Sequence, residues 1–292
     1  MKMRKHYWFA LALVLSYLPS ILNAQIEKPQ NIYRVTVNSR YVLENGERTN
    51  AFYAIGQLMY DSLGRLHTEI DYNWETRYPD NYRWHYYEGI TKRKTDFFHN
   101  EKLQRIEEYN FNNDVLLAQT IVHKVSLPDT VFLVRENISY TPNRKAKNAT
   151  GFNSAGKKVY TTTYKYDIKG NEIERKVKGK NATPPDSILY LKCTYLYDSL
   201  DRVISKVETI DKIGKPRKTE SLSFAYDQNN NVTEKIIRDS NGNLKVRMEY
   251  SYRRDNRLQQ VKIFDENNAL SKHLAWRYEI YKTDDRRHRT LE

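Results

Sequence analysis

Tyr164-Lys165-Tyr166-Asp167-Ile168-Lys169-Gly170-Asn171 decides the fold. An aromatic residue is followed by Asp, and three residues later by Gly. An Asp at the start of a type I turn bonds its side chain to the backbone two residues on. The glycine supplies a left-handed backbone that residues with a side chain resist. A type I turn followed by a left-handed residue is a common β-hairpin loop with a bulge. The flanks agree. Tyr160, Thr162, Tyr164 and Tyr166 alternate with Val159, Thr161, Thr163 and Lys165, and this period of two in β-branched and aromatic residues predicts a strand.

The same pattern recurs through the chain. Taking the residue after the aromatic as position 1, eleven segments align, at Asp61, Phe98, Asn110, Asn153, Asp167, Asp198, Asp211, Asp227, Asp239, Arg253 and Asp265, with an aromatic before all but Asp211 and Asp239. Position 4 is then Gly64, Glu101, Asn113, Gly156, Gly170, Asp201, Gly214, Asn230, Gly242, Asn256 or Asn268. All but Glu101 are Gly, Asn or Asp, the residues that tolerate a left-handed backbone. Asp167, Asp198, Asp227 and Arg253 lie 31, 29 and 26 residues apart, with further turns between them, so each period holds about two hairpins. The predicted fold is all-β: antiparallel repeated β-hairpins forming a curved or rolled sheet, with barrel-like closure as one option. The body is expected over residues 25–292, with an irregular aromatic hairpin at 72–95 and the most regular repeats at 152–270.

Tyr60-Asp61-Ser62-Leu63-Gly64-Arg65-Leu66, Tyr164 to Asn171, and Tyr195-Leu196-Tyr197-Asp198-Ser199-Leu200-Asp201-Arg202-Val203 resemble the YD-repeat, or RHS-repeat, family. The chain is also similar to small exported proteins of Bacteroides-type bacteria. The resemblance implies a secreted hairpin array, either a shell enclosing a toxin or a surface protein described as sugar-binding. Some eleven hairpin units are too few for a large shell, and residues 282–292 read as a basic tail, which argues against the toxin type.

Residues 1–24 read as a secretory signal. Lys2, Arg4 and Lys5 precede the apolar run Tyr7 to Leu18, and Ala24 ends the expected cleavage site. No transmembrane helix is expected after cleavage, since the mean hydropathy of the chain is −0.83. The expected location is the periplasm or cell surface. The one cysteine, Cys193, lies in an alternating strand-like run and is expected to be a buried structural thiol. The formal charge of +13 becomes +10 when Lys2, Arg4 and Lys5 leave with the signal. This favours anionic partners, although Lys and Arg on exposed strand positions also keep sheet edges from pairing.

No motif for a nucleophile elbow, phosphate loop, dinucleotide fold or zinc site occurs, so neither enzymatic activity nor a cofactor or metal is expected. The candidate binding residues lie in the irregular hairpin. Trp74, Tyr82, Trp84 and Tyr86, with Arg77 and Arg83, could form an aromatic and cationic platform. A ladder of aromatics filling the core would give the same sequence. The expected function is a non-enzymatic cell-envelope binding module for an extended, anionic or carbohydrate ligand. A scaffold for another envelope protein and an outer-membrane barrel are the alternatives, and nucleic acid is disfavoured as a partner.

Overall fold

The computed structural model describes residues 32–41, 52–73, 76–126, 129–179 and 182–280. The predicted signal and the basic tail lie outside the described residues. Eighteen strands and no helix occur among those described, and neighbouring strands run antiparallel. The all-β hairpin reading therefore holds. Among the described residues no helix is long and apolar enough to cross a membrane.

The chain divides into two compact units. The first contains β1 (Ile32–Tyr41), β2 (Tyr53–Tyr60), β3 (Leu66–Tyr72), β16 (Leu244–Tyr252), β17 (Leu258–Phe264) and β18 (Leu270–Ile280). In it, β16 pairs with β17, β17 with β18, β18 with β1, β1 with β2 and β2 with β3. The first described strand thus pairs with the last. Its core is apolar: Ile32, Val35, Val37, Ile55, Met248, Val261, Ile263, Leu274 and Trp276 pack together. Burying such side chains is the main favourable term in folding.

The second unit holds β4 (Pro79–Glu88), β5 (Thr91–His99), β6 (Lys102–Phe111), β7 (Leu117–Ser126), β8 (Asp129–Tyr140), β9 (Ala146–Phe152), β10 (Lys158–Tyr166), β11 (Glu172–Lys178), β12 (Ile188–Tyr197), β13 (Val203–Lys212) and β14 (Lys218–Tyr226). Each pairs with the next in an uninterrupted meander. β15 (Val232–Arg238) contributes residues to both units, as do β14, which joins the first unit from Ala225, and β16, which belongs to the second as far as Lys245. In the second unit the apolar cluster is smaller, centred on Val122, Val134 and Tyr160. Buried positions there also include His85, Thr95, Glu136, Thr162, Glu208 and Glu220. Cys193 is buried as expected, and burial pushes its thiol above the usual range.

The turns follow the sequence pattern in detail. At Asp61, Asn153, Asp167, Asp198, Asp227, Asp239, Arg253 and Asp265, the N–H of position 4 donates to the carbonyl of position 1, and the N–H of position 1 donates to the carbonyl of position 5. Position 4 is left-handed throughout, with φ 73° at Gly64, 84° at Gly170 and 84° at Gly242. Asp201, Asn230, Asn256 and Asn268 do the same work at φ 60–65°. The carboxylate at position 1 accepts from the N–H groups of positions 3 and 5, as at Asp61, Asp198, Asp227, Asp239 and Asp265. Its second oxygen takes the side chain of position 5, Arg65 at 2.6 Å or Arg202 at 2.7 Å. The register then shifts at the aromatic before the turn, as at Tyr60, Tyr166, Tyr197 and Tyr252. This is the expected bulge.

Three aligned segments differ. The turn placed at Asn110 starts at Asn112, whose side chain accepts from the N–H groups of Asp114 and Leu116, so Val115 takes the left-handed position at φ 60°. At Phe98 the chain makes a two-residue turn with Asn100 and Glu101 both left-handed. The Asp211 segment turns one residue later, with Lys215 N–H on Lys212 O. A turn outside the alignment runs from Thr141, with Arg144 at φ 60°.

The tyrosines have a second use. Tyr140 Oη donates to Leu117 O at 2.6 Å, Tyr195 to Glu172 O at 3.1 Å, Tyr252 to Val232 O at 2.9 Å and Tyr278 to Leu258 O at 2.8 Å. Each acceptor is the first residue of an earlier strand. A tyrosine near the end of one hairpin strand thereby ties down the start of a preceding hairpin.

Candidate ligand-binding face

β4 carries the aromatic residues singled out by the sequence, and strand alternation sorts them. Tyr82, Trp84 and Tyr86 share one face, while Arg83, His85 and Tyr87 share the other. The first face is open: Trp84 is 42% exposed and Tyr86 38%. The opposite face is covered, for His85 is buried and its Nδ1 lies 3.0 Å from Thr95 Oγ1.

The β4–β5 register sets what lies beside these rings. Tyr82 stands opposite Phe98, Trp84 opposite Asp96 and Tyr86 opposite Lys94. Tyr82 and Phe98 stack with centroids 4.5 Å apart and planes 12° from parallel. Trp84 tilts against both, at 5.3 Å from Phe98 and 5.9 Å from Tyr82. Lys94 Nζ sits 4.1 Å from the Tyr86 ring centroid and 3.0 Å from Asp96 Oδ2. Asp96 is buried among these side chains, and its Oδ1 has no hydrogen-bond partner. Burial, then the hydrogen bond and charge of Asp96, push the Tyr86 phenol up to about 12.

The face continues onto β6, β7 and β8. Asn110 Nδ2 donates to Gln119 Oε1 at 3.0 Å, and Gln119 Nε2 donates to Asn137 Oδ1 at 2.9 Å. The β5–β6 register, Lys94 opposite Glu108 and Asp96 opposite Ile106, puts Asn110 on the side of Trp84. The result is a row of exposed amides beside a half-exposed aromatic cluster.

Of the six candidate residues, the structure brings Tyr82, Trp84 and Tyr86 together on the open face. Arg83 belongs to the covered face, with its guanidinium 5.9 Å from the Phe97 ring. Arg77 is in the first unit, left-handed at φ 65°, and stacks 3.4 Å over the Tyr53 ring. Trp74 lies outside the described residues. The hairpin boundaries also change. Pro79 opens β4, and the turn before it is built by Asn73, which accepts from Arg77 N–H and, through its side chain, from Thr76 N–H. Proline suits the first position of a strand because no ladder N–H is needed there. The described hairpin partner of β4 is β5, reached through Gly89, left-handed at φ 57°. Sequence reasoning missed Lys94, Asp96, Phe98 and the amide row. The only signal for them was parity along β5, which becomes usable once the register is known.

Comparison with known proteins fixes no family. No family model matches the chain, and no curated protein matches it. Among solved structures, a porin-like protein from Bacteroides uniformis is similar at 11% identity and a TM-score of 0.42, over 85% of this chain and 98% of that one. A putative outer membrane lipoprotein-sorting protein domain from Vibrio parahaemolyticus is similar at 9% identity and a TM-score of 0.31, over 92% of this chain and 94% of that one. TcdB2-TccC3 is similar at 10% identity and a TM-score of 0.28, over 78% of this chain but only 17% of its own.

Proposed function

We propose that the protein is an exported, non-enzymatic binding module of the cell envelope. Its ligand is an extended carbohydrate laid across the open face of β4 to β8. The observation that carries this reading is the pairing of half-exposed Trp84 and Tyr86 with the Lys94 ammonium, which the buried Asp96 carboxylate holds beside them. Sugar rings stack on aromatic faces, and their hydroxyls need acceptors and donors at the ring edge. The amides of Asn110, Gln119 and Asn137 extend the hydrogen-bonding surface along the same face. Lys94 and Asp96 balance in charge, so a neutral or weakly charged glycan suits this surface better than a polyanion.

An outer-membrane barrel fits less well. A lipid-facing band must be apolar. The exposed side of β12 to β14 presents Lys192, Thr194, Ser205, Val207, Thr209, Thr219, Ser221 and Ser223, and its covered side presents Leu191, Cys193, Glu208, Glu220 and Leu222. Leu196, Val207 and Ala225 are the apolar exceptions on that open side.

The test is a panel of envelope glycans against the mature protein, with the Trp84→Ala, Tyr86→Ala double variant as control. Binding should be lost while the circular dichroism spectrum and melting midpoint are kept, because both rings are partly exposed. A variant that unfolds would make the cluster a structural element, and unchanged binding would place the ligand elsewhere.

A further inference from the structure

The covered face of the second unit contains a small polar cavity unrelated to the aromatic face. It has a volume of about 130 Å³ and lies among Glu136 on β8, Thr162 and Tyr164 on β10, Arg175 on β11, and the segment from Pro184 to Ile188 that leads into β12. The cavity is built with close tolerances. Tyr160 Oη donates to Glu136 Oε1 at 3.1 Å. The Tyr160 ring lies across Gly151, its direct cross-strand partner, so closely that a Cβ there would meet ring carbons at 2.1 to 2.6 Å. A Cβ on Gly179 would meet Val159 O at 2.2 Å. Two glycines thus allow the tyrosine to hold Glu136 in place.

The charges at this cavity do not cancel. Arg175 directs three of its five N–H donors to Glu172, at 2.7 and 2.8 Å, and to Asp186. Glu136 is buried and has no cation bonded to it among the described residues. Its one hydrogen bond comes from Tyr160. Thr162 is 1% exposed, and its hydroxyl has no partner. A buried polar group without a partner costs free energy. The cavity therefore offers a carboxylate and an open hydroxyl beside Tyr164, whose ring carries the Arg175 guanidinium at 5.1 Å, and it is walled by Val177, Pro184, Pro185 and Ile188. Metal coordination does not fit, because the Asp186 carboxylate already serves Arg175 and no group of three His, Cys, Asp or Glu occurs among the described residues.

We propose that this cavity binds a primary ammonium group on a short carbon chain. Its N–H donors go to Glu136 and Thr162, and its methylenes lie on Pro184, Pro185 and Ile188. Burial raises the Glu136 carboxyl above the usual range, and the Tyr160 hydrogen bond and the Arg175 charge offset this only in part.

The probe is ethanolamine, with ethylene glycol as its uncharged isostere, titrated into the mature protein by calorimetry and by ¹H–¹⁵N NMR. Ethanolamine should bind, with shifts confined to β8, β10, β11 and the Pro184–Ile188 segment, and the glycol should bind at least about tenfold more weakly, a difference of about 1.4 kcal/mol. Glu136→Gln, which keeps shape and removes charge, should abolish the preference. Thr162→Val should weaken ethanolamine while leaving the spectrum of the free protein intact. Equal affinity for the two probes, no binding of ethanolamine, or undiminished binding by a folded Glu136→Gln protein would each overturn the proposal. Shifts at Trp84 instead would move the amine to the aromatic face and overturn it equally.

Discussion

Gly242 offers a clean measure of what the repeated turn requires. It lies at φ 84°, and a Cβ built on it would meet nothing within 4 Å. A substitution there costs backbone strain and no overlap. The left-handed conformation costs an L-residue roughly 1–2 kcal/mol. Removing glycine also restricts the unfolded chain and returns about 0.4–1 kcal/mol. Gly242→Ala should therefore destabilise by about 1 kcal/mol. Gly242→Val should cost more, because a β-branched residue is a stronger outlier there. Gly242→Asn should be nearly neutral, since Asn230, Asn256 and Asn268 fill the same position in sister turns. The turn cannot easily relax to escape the strain, because the Asp239 carboxylate holds the N–H groups of Asn241 and Asn243 at 2.9 Å each. The assay is urea unfolding of the three variants at fixed pH, comparing midpoints at constant slope. The order Asn, Ala, Val in rising cost supports the reasoning. Valine and asparagine variants with the same midpoint would refute it, because the residue at position 4 would then not be held left-handed.

Two further expectations concern buried polar groups. Tyr252→Phe removes only the hydroxyl that donates to Val232 O at 2.9 Å, so it should lower stability by about 1 kcal/mol, read from the same urea midpoint; no change would mean that the tyrosine ties between hairpins carry no weight. Lys272 is buried in the first unit, and desolvation brings its ammonium down from 10.5 to about 8. Between those values the unfolded chain binds the extra proton, so stability should rise with pH across that window and the full penalty should apply below about 8. Lys272→Met should accordingly raise the midpoint at neutral pH, by on the order of 1 kcal/mol, and the gap should close as pH approaches 10.5; a constant gap would assign the effect to packing alone.

How much of the fold is legible in the sequence depends on the range of the interaction concerned. The hairpin turns are legible because their determinants are local. Position 1 favours an acceptor, with Arg253 the exception, and position 4 takes a left-handed residue; both lie within five residues. Where the two signals conflict, the acceptor wins. At Asn112 the side chain takes two backbone N–H groups and Val115 adopts φ 60° regardless. Reading Asn113 as the left-handed residue points to Asn110 instead, two residues too early. The Thr141 turn lacks the pattern because a threonine hydroxyl replaces the carboxylate and Arg144 replaces glycine. Both cases rank the determinants: satisfying the turn N–H groups outweighs the strain of one residue.

The candidate site is legible by halves, and the division follows strand parity. Tyr82, Trp84 and Tyr86 are two apart and must share a face in any strand reading of this segment. Arg83 has the opposite parity, so alternation along the strand is enough to exclude it from the aromatic face. Asp96, Lys94 and Phe98 cannot be assigned in the same way. Their place beside Trp84 depends on the β4–β5 register, which Gly89 and a bulge at Tyr86/Tyr87 fix. The covered cavity is less legible still. Glu136, Thr162, Arg175 and Asp186 come from four separate segments, and none stands out in its own strand. What marks them is a mismatch between partners, a carboxylate without a bonded cation beside a hydroxyl without a bond, and a mismatch of that kind exists only after folding. Repeats of this sort constrain turns strongly and faces weakly. Specificity can therefore vary on the faces while the hairpin scaffold stays the same, and the proposed ligands are assigned to side chains that the repeat pattern leaves free.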